Sequence, residues 1–160
     1  MMKTKRAQQA DLIPQQTIRL QWTTLKDLIR ILKITIDISS YNPTVRLLAE
    51  SITKASGTNY PLKLQQIENF LRSKFTFNRD PRGREYLQTP VLLSSKLLEG
   101  QGISGDCDDS TALILALIKS IGFEGYMLFT SPNPQIPFTH VMAVAIIGDA
   151  FYPIDLTISK

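Results

Sequence analysis

The chain has 160 residues and a net charge of +4, with 43% hydrophobic and 20% charged residues. That is the balance of one globular domain with room for a real core. No apolar run reaches the length of a membrane span, and a single cysteine excludes an intramolecular disulfide or a multi-cysteine zinc site.

The start, MMKTKRAQQADLIPQQ, is basic and polar, without the apolar stretch of a secretory signal. Residues 1–37 hold seven Lys/Arg against three Asp, which accounts for the whole net charge. Residues 1–22 are expected to form a basic N-terminal arm and 23–160 a single domain. No aromatic residues interleave with the charges, so a solvated arm is favoured and nucleic acid is not an expected partner.

From Thr24, a suitable N-cap, Leu25, Leu28, Ile29, Leu32 and Ile36 recur at helical spacing. The β-branched run Ile34-Thr35-Ile36 weakens the end of that helix. Pro43 after Tyr41-Asn42 starts a second helix, with Val45, Leu47, Leu48 and Ile52, which stops before Gly57. A third is predicted over Pro61–Lys74, with Leu64, Ile67, Phe70 and Leu71 inward. Phe75-Thr76-Phe77 is a short strand candidate, and 78–84 is turn chemistry. Pro90–Leu98 reads as a short helix that buries Val91, Leu92, Leu93 and Leu97, and 100–105 as a loop.

The strongest local pattern is Asp106-Cys107-Asp108-Asp109-Ser110-Thr111 leading into Ala112–Ile118. Apolar residues cover nearly every face, which predicts a central helix packed on several sides. Asp106 can cap it, Asp109 can return the hydrogen bond, and Gly122 can supply the left-handed stop. The period then changes to two. Strands are predicted over Gly125–Phe129, Phe138–Ile147 and Ala150–Leu156, with a loop at 131–137 and a turn at Gly148-Asp149. The fold class is therefore α+β, a helical N-terminal half packed on an antiparallel sheet.

Cysteine attack needs a base for the thiol proton and a group that orients the base. With one cysteine and one histidine, such a site must pair Cys107 with His140. Cys107 falls in the first turn of its helix, where free N–H groups and the dipole favour a thiolate. Asp106, Asp108 and Asp109 oppose it. If Gly148-Asp149 is a two-residue hairpin loop, Ile147 pairs with Ala150, and Asp155 falls opposite Met142, diagonal to His140 on the same face. Diagonal neighbours lie about 7–8 Å apart, a gap that a carboxylate and an imidazole can close.

Each residue alone has a plainer reading. Lone cysteines usually pack, a strand histidine is usually a core residue, and Asp155 could cap a strand end. The three together favour a Cys107–His140–Asp155 site. Gln88 is a candidate oxyanion donor, with Ser104 and the Cys107 backbone N–H as alternatives. The Asp106–Asp109 run lacks the spaced Asp ligands and closing Glu of a calcium loop. Capping and surface charge are preferred there, and neither a metal nor a cofactor is expected.

Gly105-Asp106-Cys107-Asp108-Asp109, the helix ending near Ile121-Gly122, His140-Val141 and Tyr152-Pro153-Ile154-Asp155-Leu156-Thr157 resemble the transglutaminase-like superfamily. The chain looks most like small transglutaminase-like cysteine peptidases of tailed bacteriophages and prophages. Thr24–Leu28, Pro43–Ala49, Phe77–Asp80, Glu85 and Gln88-Thr89-Pro90 fit the same group, so the likeness spans about residues 23 to 158. Leu156 stands where the family often has Pro after the acid.

The resemblance implies a papain-like core with Cys107 as nucleophile, His140 as base, Asp155 as orienting acid and Gln88 as a loose oxyanion match. It implies a cysteine hydrolase or acyltransferase acting on an amide of a peptide, protein or peptidoglycan. The alternative is an inactive scaffold that binds or assembles with a phage structural protein. The expected location is the host cytoplasm or the virion, with no membrane partner.

Overall fold

The computed structural model describes residues 17–20, 24–82, 84–136 and 138–159. Most of the expected arm, the turn glycine Gly83 and the loop residue Pro137 lie outside the described residues. The architecture is α+β. Strand β1 (Thr17–Leu20) precedes helices α1 (Leu25–Ser39), α2 (Pro43–Thr53) and α3 (Tyr60–Lys74). Then come β2 (Phe75–Phe77), β3 (Glu85–Gln88), α4 (Pro90–Leu98), β4 (Ile103–Gly105), α5 (Cys107–Ser120), β5 (Glu124–Thr130), β6 (His140–Ile147) and β7 (Ala150–Ile154). No helix among the described residues is long and apolar enough to cross a membrane.

The helices begin where side-chain caps allow. Thr24, Asn42, Asn59 and Thr89 each accept a backbone N–H of the first turn, and Pro43, Pro61 and Pro90 occupy positions whose N–H has no helical partner. Helix α1 continues through its β-branched run because Thr35 and Ile36 are buried, so packing outweighs propensity there. Within α4, Val91, Leu93 and Leu97 are buried as expected but Leu92 is only half-buried; likewise Phe70 on α3 lies at the rim of the core.

Helix α5 is the centre. Ala112 to Ile118 are all buried, because α5 packs on α1, α2 and α4 on one side and on β5 and β6 on the other. Each fully buried Leu or Ile contributes about 1.5–3 kcal/mol of transfer free energy. The helix ends where Gly122 takes φ +94°. There Phe123 N–H donates to Ile118 O and Gly122 N–H to Lys119 O, a Schellman closure.

Strands β5, β6 and β7 form an antiparallel sheet in that order. Ile147 pairs with Ala150 and Ala143 with Ile154, the register expected of a two-residue loop. Two small pairs differ from expectation. Residues 17–20, assigned to the arm, form β1 antiparallel to β3, with Thr17 opposite Gln88. Residues 103–105, expected to be loop, form β4 parallel to β2. Both pairs flank the start of α5 and hold it in place.

Candidate active site

The site forms where the first turns of α5 meet the start of β6. Asp106 is the N-cap of α5: its Oδ1 accepts from the Asp108 N–H at 3.0 Å and the Asp109 N–H at 3.3 Å. Asp109 completes a capping box by accepting the Asp106 N–H at 3.2 Å. Cys107 is thereby fixed as the first residue of the helix, half-buried. One turn on, the Thr111 hydroxyl donates to Val141 O at 3.2 Å, while the Val141 N–H faces the Cys107 sulfur. These contacts hold Val141, the residue after His140, at the cysteine end of α5.

His140 Nε2 and Asp155 Oδ2 are 2.6 Å apart. Asp155 is buried just past β7, and its Oδ1 accepts the Thr157 N–H at 2.9 Å and the Thr157 hydroxyl at 2.7 Å. Burial is the largest single influence on Asp155 and pushes its pKa up. Thr157 and then His140 together outweigh it, so the carboxyl sits below its ordinary value. An ionised Asp155 fixes the imidazole proton on Nε2 and leaves Nδ1 as the basic nitrogen. Cys107 and His140 line the same open cleft of about 860 Å³.

The residues lining that cleft include the apolar Leu25, Leu28, Phe129 and Phe138, the acidic Asp80, Glu85, Asp106 and Asp108, and the cationic Arg79. The acidic cluster departs from expectation. Asp108 and Asp109 are buried rather than surface charges, at 7% and 2% exposure. Asp80, Glu85 and Asp106 bring one oxygen each within 4.8 Å of one another, the spacing of groups that could share a hard cation. Asp80 is held there by accepting the Tyr86 N–H.

Crowding and burial make these groups weaker acids. Burial first, then Asp109 and Asp108, push Asp106 up to about 7. Burial, then Glu85 and Asp109, push Asp108 up to about 6. The Cys107 thiol is pushed up to about 12, by burial first and then by the charge of Asp108, whose Oδ1 lies 3.8 Å from the sulfur. The Val141 N–H acts in the opposite direction but does not prevail. The resting sulfur is therefore a protonated thiol.

Neutralising Asp108 should lower the thiol pKa, because it removes a charge that disfavours the thiolate. Asp108→Asn is expected to raise the rate of iodoacetamide labelling of Cys107 at pH 8 by roughly 3–10-fold. The gain in thiolate fraction is partly offset by lower nucleophilicity. Mass spectrometry reads this cleanly with one cysteine per chain; an unchanged or slower rate would contradict the assigned role of Asp108.

Gln88 is placed differently from the other three residues. Its Nε2 donates to Ser104 O at 2.7 Å and to Asp109 Oδ2 at 3.2 Å, and its backbone N–H donates to Asp109 Oδ1 at 2.7 Å. Both amide protons are committed to the β4–α5 junction, so Gln88 has none left for an oxyanion. Ser104 lies on β4, its carbonyl accepts from Gln88, and it is not among the residues that line the cleft. Of the three candidates, the Cys107 backbone N–H remains, at the helix N-terminus beside the sulfur.

Sequence alone assigns no role in the site to Thr157, the Val141 amide, Asp80 or Glu85. A Thr two residues after an Asp is a local Asx-type pattern that could have revealed Thr157. The other three depend on contacts between distant segments. Comparison of the chain with family models, with curated proteins and with solved structures gives no match.

Proposed function

We propose that the protein is a cysteine hydrolase or acyltransferase that opens an amide bond through a Cys107 thioester. The observation that carries this reading is the 2.6 Å bond between His140 and a buried Asp155, in the cleft that also holds the cysteine. The likeness of the Gly-Asp-Cys, His-Val and Ile-Asp segments to the transglutaminase-like superfamily supports it, with a papain-like placement of Cys on a helix and His and Asp on strands.

In this mechanism the thiol loses its proton as it attacks, since a thiol near pKa 12 is not ionised beforehand. Sulfur forms a bond to the carbonyl carbon while His140 Nδ1 takes the proton. The carbonyl oxygen becomes an oxyanion facing the Cys107 N–H. The imidazolium then protonates the leaving amine, the C–N bond breaks and a thioester remains. Water or a second amine, deprotonated by His140, releases the acyl group and restores the thiol. The substrate class is a peptide, protein or peptidoglycan amide, reached from the host cytoplasm or a phage particle.

The raised thiol pKa favours a second reading, an inactive scaffold that serves a phage structural or assembly role. An acylation assay separates the two. 4-Nitrophenyl acetate should release nitrophenolate and leave an acetyl adduct on Cys107, detected by mass spectrometry. Cys107→Ala should abolish the adduct and His140→Ala should slow its formation by about 10²–10⁴-fold. An adduct formed equally fast without His140, or none at all, would leave only the scaffold.

A further inference from the structure

Asp155 follows the last residue of β7, so the sheet does not fix its backbone. Two bonds from α3 do. Arg72 Nη2 donates to Asp155 O at 2.7 Å and Arg72 Nη1 to Ile158 O at 2.9 Å. The guanidinium thus grips both ends of the turn that carries Asp155 and Thr157.

Arg72 is itself held. Glu68, one helical turn earlier on α3, lies 3.0 Å from Arg72 Nε and 3.0 Å from Nη2. Glu68 is only 2% exposed, and its other oxygen accepts the Tyr152 hydroxyl of β7 at 3.2 Å. Burying an ion pair costs desolvation that its attraction barely offsets, so a buried pair is weak evidence for stability. Its value here is geometric. A planar guanidinium with two of its N–H groups on one carboxylate has little freedom left for the others. The fork therefore sets the height of the 155–158 turn above α3.

We infer that Arg72, oriented by Glu68, is a positioning residue that holds the Asp155 carboxylate against His140 and so sets the basicity and orientation of the imidazole. This rests on reading Cys107, His140 and Asp155 as a catalytic triad. A lysine cannot replace Arg72, because one ammonium does not span two carbonyls and a carboxylate in the same plane.

One histidine per chain makes the test direct. In ¹⁵N-labelled protein a hydrogen-bonded, exchange-protected imidazole Nε2–H gives a single downfield resonance. Arg72→Met should lose that resonance to exchange, as Asp155→Ala should, and Arg72→Lys should broaden it. In the acylation assay Arg72→Met should slow Cys107 acetylation by roughly 10–100-fold, with its loss confined to chains that retain His140. In an His140→Ala background the same substitution should cost nothing.

A retained Nε2–H resonance in Arg72→Met, or an equal loss with and without His140, would overturn the inference. Should His140→Ala itself leave acetylation unchanged, the triad reading fails. The resonance would still report whether Arg72 places Asp155, so the two failures are told apart. Where Arg72→Met does not fold, Arg72→Lys and Glu68→Gln carry the same readouts.

Discussion

Asp155→Asn is expected to slow Cys107 acylation and turnover by about 10²–10⁴-fold while leaving the fold intact. The reason lies in which oxygen does what. Oδ1 accepts two bonds from Thr157 and Oδ2 meets His140. An asparagine satisfies Thr157 by placing its carbonyl at the Oδ1 position. Its NH₂ then faces Nε2, which must become an acceptor. The imidazole proton moves to Nδ1, the nitrogen required as base, and the base is lost with little displacement of any atom. Acylation by 4-nitrophenyl acetate and the melting temperature should therefore separate, the first falling sharply and the second hardly changing at pH 8. A variant that keeps more than a tenth of wild-type acylation would remove Asp155 from the triad.

The residues that let this site be read from sequence are those whose placement is local. A two-residue loop at Gly148-Asp149 leaves one register for β6 and β7, and that register brings the segment after Ile154 beside His140. Asp106 and Asp109 form their capping box within one turn. What the sequence did not disclose depends on segments far apart in the chain. Thr17–Leu20 does alternate polar and apolar residues, but four residues in a polar stretch find their meaning only opposite β3. Strand β4 is three residues long and flanked by glycine, and only β2 makes it a strand. The acidic cluster joins Asp80 and Glu85 to the α5 cap. The Arg72 fork spans more than 80 residues to Asp155. Gln88 was legible as polar and near the site, but its direction was not, and direction decides whether an amide serves an oxyanion or a strand junction.

Gly105→Ala is expected to destabilise the protein by about 3–5 kcal/mol, lowering the melting temperature by roughly 10 °C. A Cβ at residue 105 would lie 2.5 Å from Asp109 Oδ2 and 2.7 Å from Asp109 Cβ. The second contact matters more, because rotating the carboxylate cannot relieve a clash with the atom next to the backbone. Asp109 would have to leave, abandoning the Asp106 N–H and both donors of Gln88, each lost partner costing about 1–3 kcal/mol where it is buried. Gly102→Ala is the control: its new Cβ meets only Lys74 O at an ordinary 3.5 Å, so urea or thermal denaturation should show a small change. A Gly105→Ala variant within 1 kcal/mol of wild type would mean that the junction yields easily. The outcome bears on the motif itself. Gly105 makes room for Asp109, Asp106 caps the helix and Asp109 ties β3 to it, so three of the five residues in Gly-Asp-Cys-Asp-Asp hold the helix start in place. Cys107 and Asp108 are the pair left to act on each other in the cleft, one as the proposed nucleophile and the other as a charge that favours its protonated form.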